Sequence, residues 1–135
     1  MADGSEIKRG LDGVVVDVSA VSKVMPEINA LTYRGYPVQE LAENCRFEEV
    51  AYLLADGELP TAAELGDFER QERENRGIDE ALLAVISRYP PDCHPMDTTR
   101  TSVSFLGLED HETADHGPEA ARRKAMRLLA RIPTA

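Results

Sequence analysis

The sequence predicts a mainly α-helical fold, a bundle of short helices with a small β-hairpin near the N-terminus. Three observations predict it. From residue 37 onward apolar side chains recur at helical spacing. Prolines and glycines cut that stretch into segments of helix length. Residues 10–37 alone are rich in β-branched and turn-forming residues.

The elements follow in chain order. Residues 1–9 form a flexible N-terminus. Residues 11–17, with Val14, Val15 and Val16 at their centre, read as a short strand, and residues 31–37 as a second, with a turn at Arg34-Gly35 where glycine supplies a positive φ. Residues 10–37 are therefore a hairpin segment and residues 38–135 a helical one. Pro37 pre-sets the first turn of a helix over 38–44. Phe47, Val50, Ala51 and Leu54 then share a helical face that Gly57 ends. Thr61 and Glu64 have capping-box spacing for a helix over roughly 62–75, closed by Gly77. Asp79 caps a helix through Leu82, Leu83, Val85 and Ile86. Tyr89-Pro90-Pro91-Asp92 breaks the chain, because neither proline donates a helical hydrogen bond. Pro95 restarts a helix in which Met96, Val103 and Leu106 face one way and Gly107 is the stop. Residues 108–117 are an acidic loop. Pro118 opens the last helix, with Ala121, Ala125, Leu128, Leu129 and Ile132 on one face.

Composition bounds the function. Twenty-five acidic against 15 basic residues give a net charge of −10, the wrong sign for a protein that binds a phosphate backbone by counterion release. One stretch runs the other way: Arg122, Arg123, Lys124, Arg127 and Arg131 face a single Glu119. It reads as the solvated face of a helix, with an acidic face of an oligomer or an anionic ligand as alternatives. No run approaches the roughly 20 apolar residues of a membrane span. The polar N-terminus does not look like a secretory signal, and Cys45 and Cys93 are too few for a disulfide framework. A cytoplasmic setting is expected.

The residues offer little catalytic chemistry. His111 and His116 sit in an acidic loop with Asp110, Glu112 and Asp115. A solvated loop is the plain reading and a weak divalent metal site the other. Cys93 and His94 are neighbours, but the expected role of His94 is to cap the helix that Pro95 begins. Cys45 reads as a small core residue. Ser102 and Ser104 lack a nucleophile elbow, and no glycine-rich phosphate loop exists. Arg34 and Arg76 are single arginines that can fork onto a carboxylate; a turn residue and a helix C-terminal cation are their bland readings. No cofactor and no metal is expected.

Seven segments in order carry a resemblance. They are Gly10-Leu11-Asp12-Gly13-Val14-Val15, Leu31-Thr32-Tyr33-Arg34-Gly35-Tyr36-Pro37-Val38, Phe47-Glu48-Glu49-Val50-Ala51-Tyr52-Leu53-Leu54, Gly57-Glu58-Leu59-Pro60-Thr61, His94-Pro95-Met96-Asp97, Arg100-Thr101-Ser102-Val103-Ser104 and Arg123-Lys124-Ala125-Met126-Arg127-Leu128-Leu129-Ala130. Together, over residues 8–134, they resemble the N-terminal region of citrate synthases, most closely the bacterial 2-methylcitrate synthase branch. The resemblance implies the helical part of a large domain, here truncated, from a dimeric enzyme that condenses acetyl- or propionyl-CoA with oxaloacetate. In that family an Asp removes the α-proton of the thioester, one His stabilises the enol and a second protonates the oxaloacetate carbonyl.

The family's His-Gly-Gly-Ala-Asn-Glu and Gly-Phe-Gly-His segments do not occur in these 135 residues. No catalytic residue therefore transfers, and His94 is not one of the family's catalytic histidines. Arg76 lies near a stretch that touches substrate in some members, and it is the one substrate-binding candidate. Two positions depart from the family pattern: Ala55-Asp56, where a bulky residue usually precedes the glycine, and Thr98, where Val is usual. The expectation is a synthase segment that is inactive alone. Acyl-CoA and oxaloacetate would be partners only in the full-length enzyme, and a homo-oligomer or a synthase subunit the assembly. The alternatives are a remnant acting as an interaction module with a full-length synthase, and an unrelated helical domain with a metal site. A partial large domain should leave Leu128, Leu129 and Ile132 incompletely buried.

Overall fold

A computed structural model describes residue 10 and residues 13–135. The flexible N-terminus expected over 1–9 lies outside the described residues, as do Leu11 and Asp12 of the first expected strand. Two compact units divide the chain, one ending at Cys45 and the other spanning Arg46–Ala135.

The first unit is a three-stranded antiparallel sheet and one helix. Its strands are β1 (Ser22–Met25), β2 (Ala30–Tyr33) and β3 (Tyr36–Pro37), in that spatial order. A one-turn 3-10 helix, Pro26–Ile28, links β1 to β2, with Asn29 left-handed at φ 50° and its N–H bonded to the Pro26 carbonyl at 3.1 Å. Val24 faces Leu31 across the first pair. Tyr33 pairs with Tyr36, so Arg34 and Gly35 form a two-residue turn. Both have positive φ, 49° and 95°, the twist a tight hairpin demands. Helix α1 (Val38–Asn44) packs on β2 and β3 and buries Leu41.

This corrects the expected strand at 11–17. Val14 to Asp17 belong to no strand, and Val15, Val16 and Val18 are exposed. The partner of β2 is Ser22–Met25 instead. Extended backbone is a strand only where another strand meets its N–H and C=O groups, and the valine run has none.

The second unit is helical: α2 (Phe47–Asp56), α3 (Ala62–Asn75), α4 (Glu80–Ile86), α5 (Pro95–Leu108) and α6 (Pro118–Arg131). Local chemistry sets the ends. The Glu49 carboxylate accepts from the Arg46 N–H at 2.7 Å, and Gly57, at φ 98°, ends α2 with its N–H on the Leu53 carbonyl. Thr61 and Glu64 form the expected capping box: the Thr61 hydroxyl oxygen accepts from the Glu64 N–H at 3.4 Å and the Glu64 carboxylate from the Thr61 N–H at 2.8 Å. Asp79 accepts from the Leu82 N–H at 2.8 Å. His94 Nδ1 accepts from the Met96 N–H at 3.1 Å, so the histidine caps α5 as expected. α3 spans the expected residues, while two boundaries shift by a residue: α5 runs through Gly107 to Leu108, and α6 ends at Arg131, before Ile132.

α3 packs on α2 and α6, and α4 on α5. The core is Leu53, Phe68, Leu82, Leu106, Ala120 and Ala130, with the Tyr52 ring edge-on to Phe68 at 5.6 Å. The α2 face differs from expectation: Leu53 is fully buried while Phe47 is 70% exposed. Likewise Met96 is exposed on α5 and Leu83 on α4. The expected incomplete burial on α6 is present. Leu128 and Ile132 are exposed and Leu129 is half-buried.

Candidate functional site

The richest polar constellation lies between α5, the acidic loop and α6. Arg127 sits one turn after Arg123 on α6, so both guanidinium groups reach the loop. Arg127 bridges two carboxylates: Nη2 lies 2.9 and 3.0 Å from the two Asp110 oxygens, and Nη1 lies 2.9 Å from Glu112. Arg123 takes the same Glu112 through Nε at 3.0 Å and Nη2 at 2.5 Å. Lys124 donates to the backbone carbonyls of Thr113 and Asp115. Asp110 titrates below the ordinary carboxylate range because the Glu112 N–H and Arg127 both donate to it. Glu112 is lowered by Arg123 and then by Arg127. A cleft of about 450 Å³ opens beside this network, floored by Val103, Leu106 and Leu128 and edged by Lys124, Arg127 and Arg131. Arg131 Nε donates to the Asn75 carbonyl at 3.3 Å. At the neighbouring helix ends Glu109, hydrogen-bonded to Asp79, is pushed above its ordinary range.

Of the residues singled out from sequence, the basic face of α6 and the acidic loop meet here, and His111 lines the cleft; Arg76 is held by a different partner. Arg76 stands at the end of α3 with its guanidinium on Glu72, Nε at 2.8 and 3.0 Å and Nη2 at 2.8 Å. That hydrogen bond raises its pKa further. It edges a hollow of about 370 Å³ with Glu48, Phe47, Phe68, Leu129 and Pro133. A substrate carboxylate at Arg76 would have to compete with Glu72. Arg34 occupies the β2–β3 turn, with its N–H on the Val21 carbonyl at 2.9 Å.

Ser102 is buried and shares a 3.3 Å hydrogen bond with the Tyr89 hydroxyl, and the Ser104 hydroxyl donates to the Arg100 carbonyl. Neither has a general base beside it among these partners. Cys45 and Cys93 are free thiols, both half-buried. His111 and His116 are exposed. Among the described residues no three His, Cys, Asp or Glu side chains converge as a metal centre requires, and no helix is long and apolar enough to cross a membrane. The Arg123/Arg127 grip on Asp110 and Glu112 was missed from sequence. Its signal was an acid-x-acid loop followed by two arginines four apart.

The two departures are accommodated locally. Asp56 pairs with Arg122 at 2.5 Å, joining α2 to α6. The Thr98 hydroxyl donates to the Pro95 carbonyl at 2.6 Å.

The family profile described as "Citrate synthase, C-terminal domain" matches residues 10–135. The chain belongs to the citrate synthase family. It is 54% identical over 129 residues to a 2-methylcitrate synthase of Mycobacterium tuberculosis, covering 96% of this chain and 32% of that protein. A citrate synthase of Mycolicibacterium smegmatis is 51% identical over 133 residues, covering 98% and 35%. The crystal structure of citrate synthase from Thermotoga maritima superposes with a TM-score of 0.81 at 34% identity, over 95% of this chain and 32% of that one. The chain therefore spans about a third of the length of the citrate synthases it matches. The mainly helical fold with a small antiparallel sheet is the fold of those citrate synthases over this segment.

Proposed function

We propose that this chain is an N-terminal segment of a citrate or 2-methylcitrate synthase, part of the machinery that condenses acetyl- or propionyl-CoA with oxaloacetate, and that it is inactive alone. One observation carries the reading: almost the whole chain matches a family whose members are three times longer. It is supported by the lack of the two histidine motifs from these residues and by the single candidate substrate arginine, Arg76, which is engaged by Glu72. Condensation needs an acid and a base held on one thioester, and further support comes from Ser102 and Ser104, whose hydrogen-bond partners among the described residues include no base. The segments 10–37 and 38–135 are then the small-sheet part and the helical part of a large domain. In the complete enzyme the partners are acyl-CoA and oxaloacetate, no cofactor is required, and the subunits form a homo-oligomer in the cytoplasm. The test is thiol release from acetyl-CoA and from propionyl-CoA in the presence of oxaloacetate. No release above the enzyme-free rate is expected, and measurable turnover with either thioester overturns the reading.

A second reading, a non-catalytic module that docks on a full-length synthase, is favoured by the exposed apolar side chains Leu128 and Ile132 on α6. Affinity capture from the source cell should then recover a synthase subunit. Its absence from the captured proteins counts against this reading and leaves the first in place.

A further inference from the structure

We draw no further inference here: the strongest candidate, the cleft between α5, the acidic loop and α6, belongs to the site already described, and its cations Lys124, Arg127 and Arg131 are each already engaged by carboxylates or carbonyls of this chain.

Discussion

Arg127 shows how much one side chain organises. It is three-quarters buried, as its partner Asp110 is four-fifths buried, and its two terminal nitrogens tie down two different carboxylates through charge-assisted hydrogen bonds, which are stronger than neutral ones. The pH dependence follows from the sign of the shifts. Asp110 and Glu112 are both held below their ordinary range. The stability they contribute is complete above the unfolded carboxylate values and is lost as pH falls through the folded ones. Thermal unfolding followed from pH 7 down to about pH 3 should show a smaller acid loss in Arg127→Gln than in the unsubstituted protein. An equal or larger loss would refute the linkage. Thr61→Ala tests a second residue. Removing its hydroxyl frees the Glu64 N–H at the start of α3 and should cost about 1 kcal/mol in urea unfolding. These two sites differ in legibility. The Thr61–Glu64 box was readable because its partners are three residues apart. The Arg127 grip joins residues 17 apart, and no local pattern fixes which carboxylate an arginine on a helix will meet.

At the level of elements the helices were legible and the sheet only partly so. Each helix carries its own start and stop in nearby residues, so Val38–Asn44, Phe47–Asp56 and Ala62–Asn75 lie where the sequence places them. Strand β1 has no comparable signature: Ser22-Lys23-Val24-Met25 is less apolar than Val14-Val15-Val16, and what makes it a strand is the register with β2. The buried face of α2 was blurred for a related reason. Periodicity allows a stripe through Phe47 or one through Leu53, and α3 chooses the latter by meeting Tyr52 with Phe68. Leu53→Ala should therefore cost about 3 kcal/mol, within the range for buried leucines. Phe47→Ala, at a 70% exposed position, should cost under about 1 kcal/mol. Equal losses in urea unfolding would mean that the exposed ring has a partner within the chain.

The whole chain is a third of a synthase in length and leaves several large apolar side chains in contact with solvent, among them Phe47, Met96 and Leu108 in the second unit. Scattered exposed apolar residues are ordinary on monomers; Leu128 and Ile132, at the end of α6 and one turn apart, share a face, the one on which the docking reading rests. Replacing both Leu128 and Ile132 with glutamate should reduce concentration-dependent association, read by analytical ultracentrifugation, while leaving the melting temperature within a few degrees. Association unchanged in the double variant would exclude that face. Family membership was legible because seven short segments kept their order. The candidate site was legible only as separate runs of charge, since the acidic loop and the basic helix face meet through residues 15 and 17 apart in the chain.

The Tyr89 hydroxyl, bonded to buried Ser102 across the double-proline break, turns that break into a brace. Two prolines already stiffen the corner by fixing φ; the phenol adds a strut from the corner to the second turn of α5. A stiff corner with a strut transmits displacement instead of absorbing it. Pulling on α5 would then drag α4 along, and the two helices would open to solvent exchange together, on one clock.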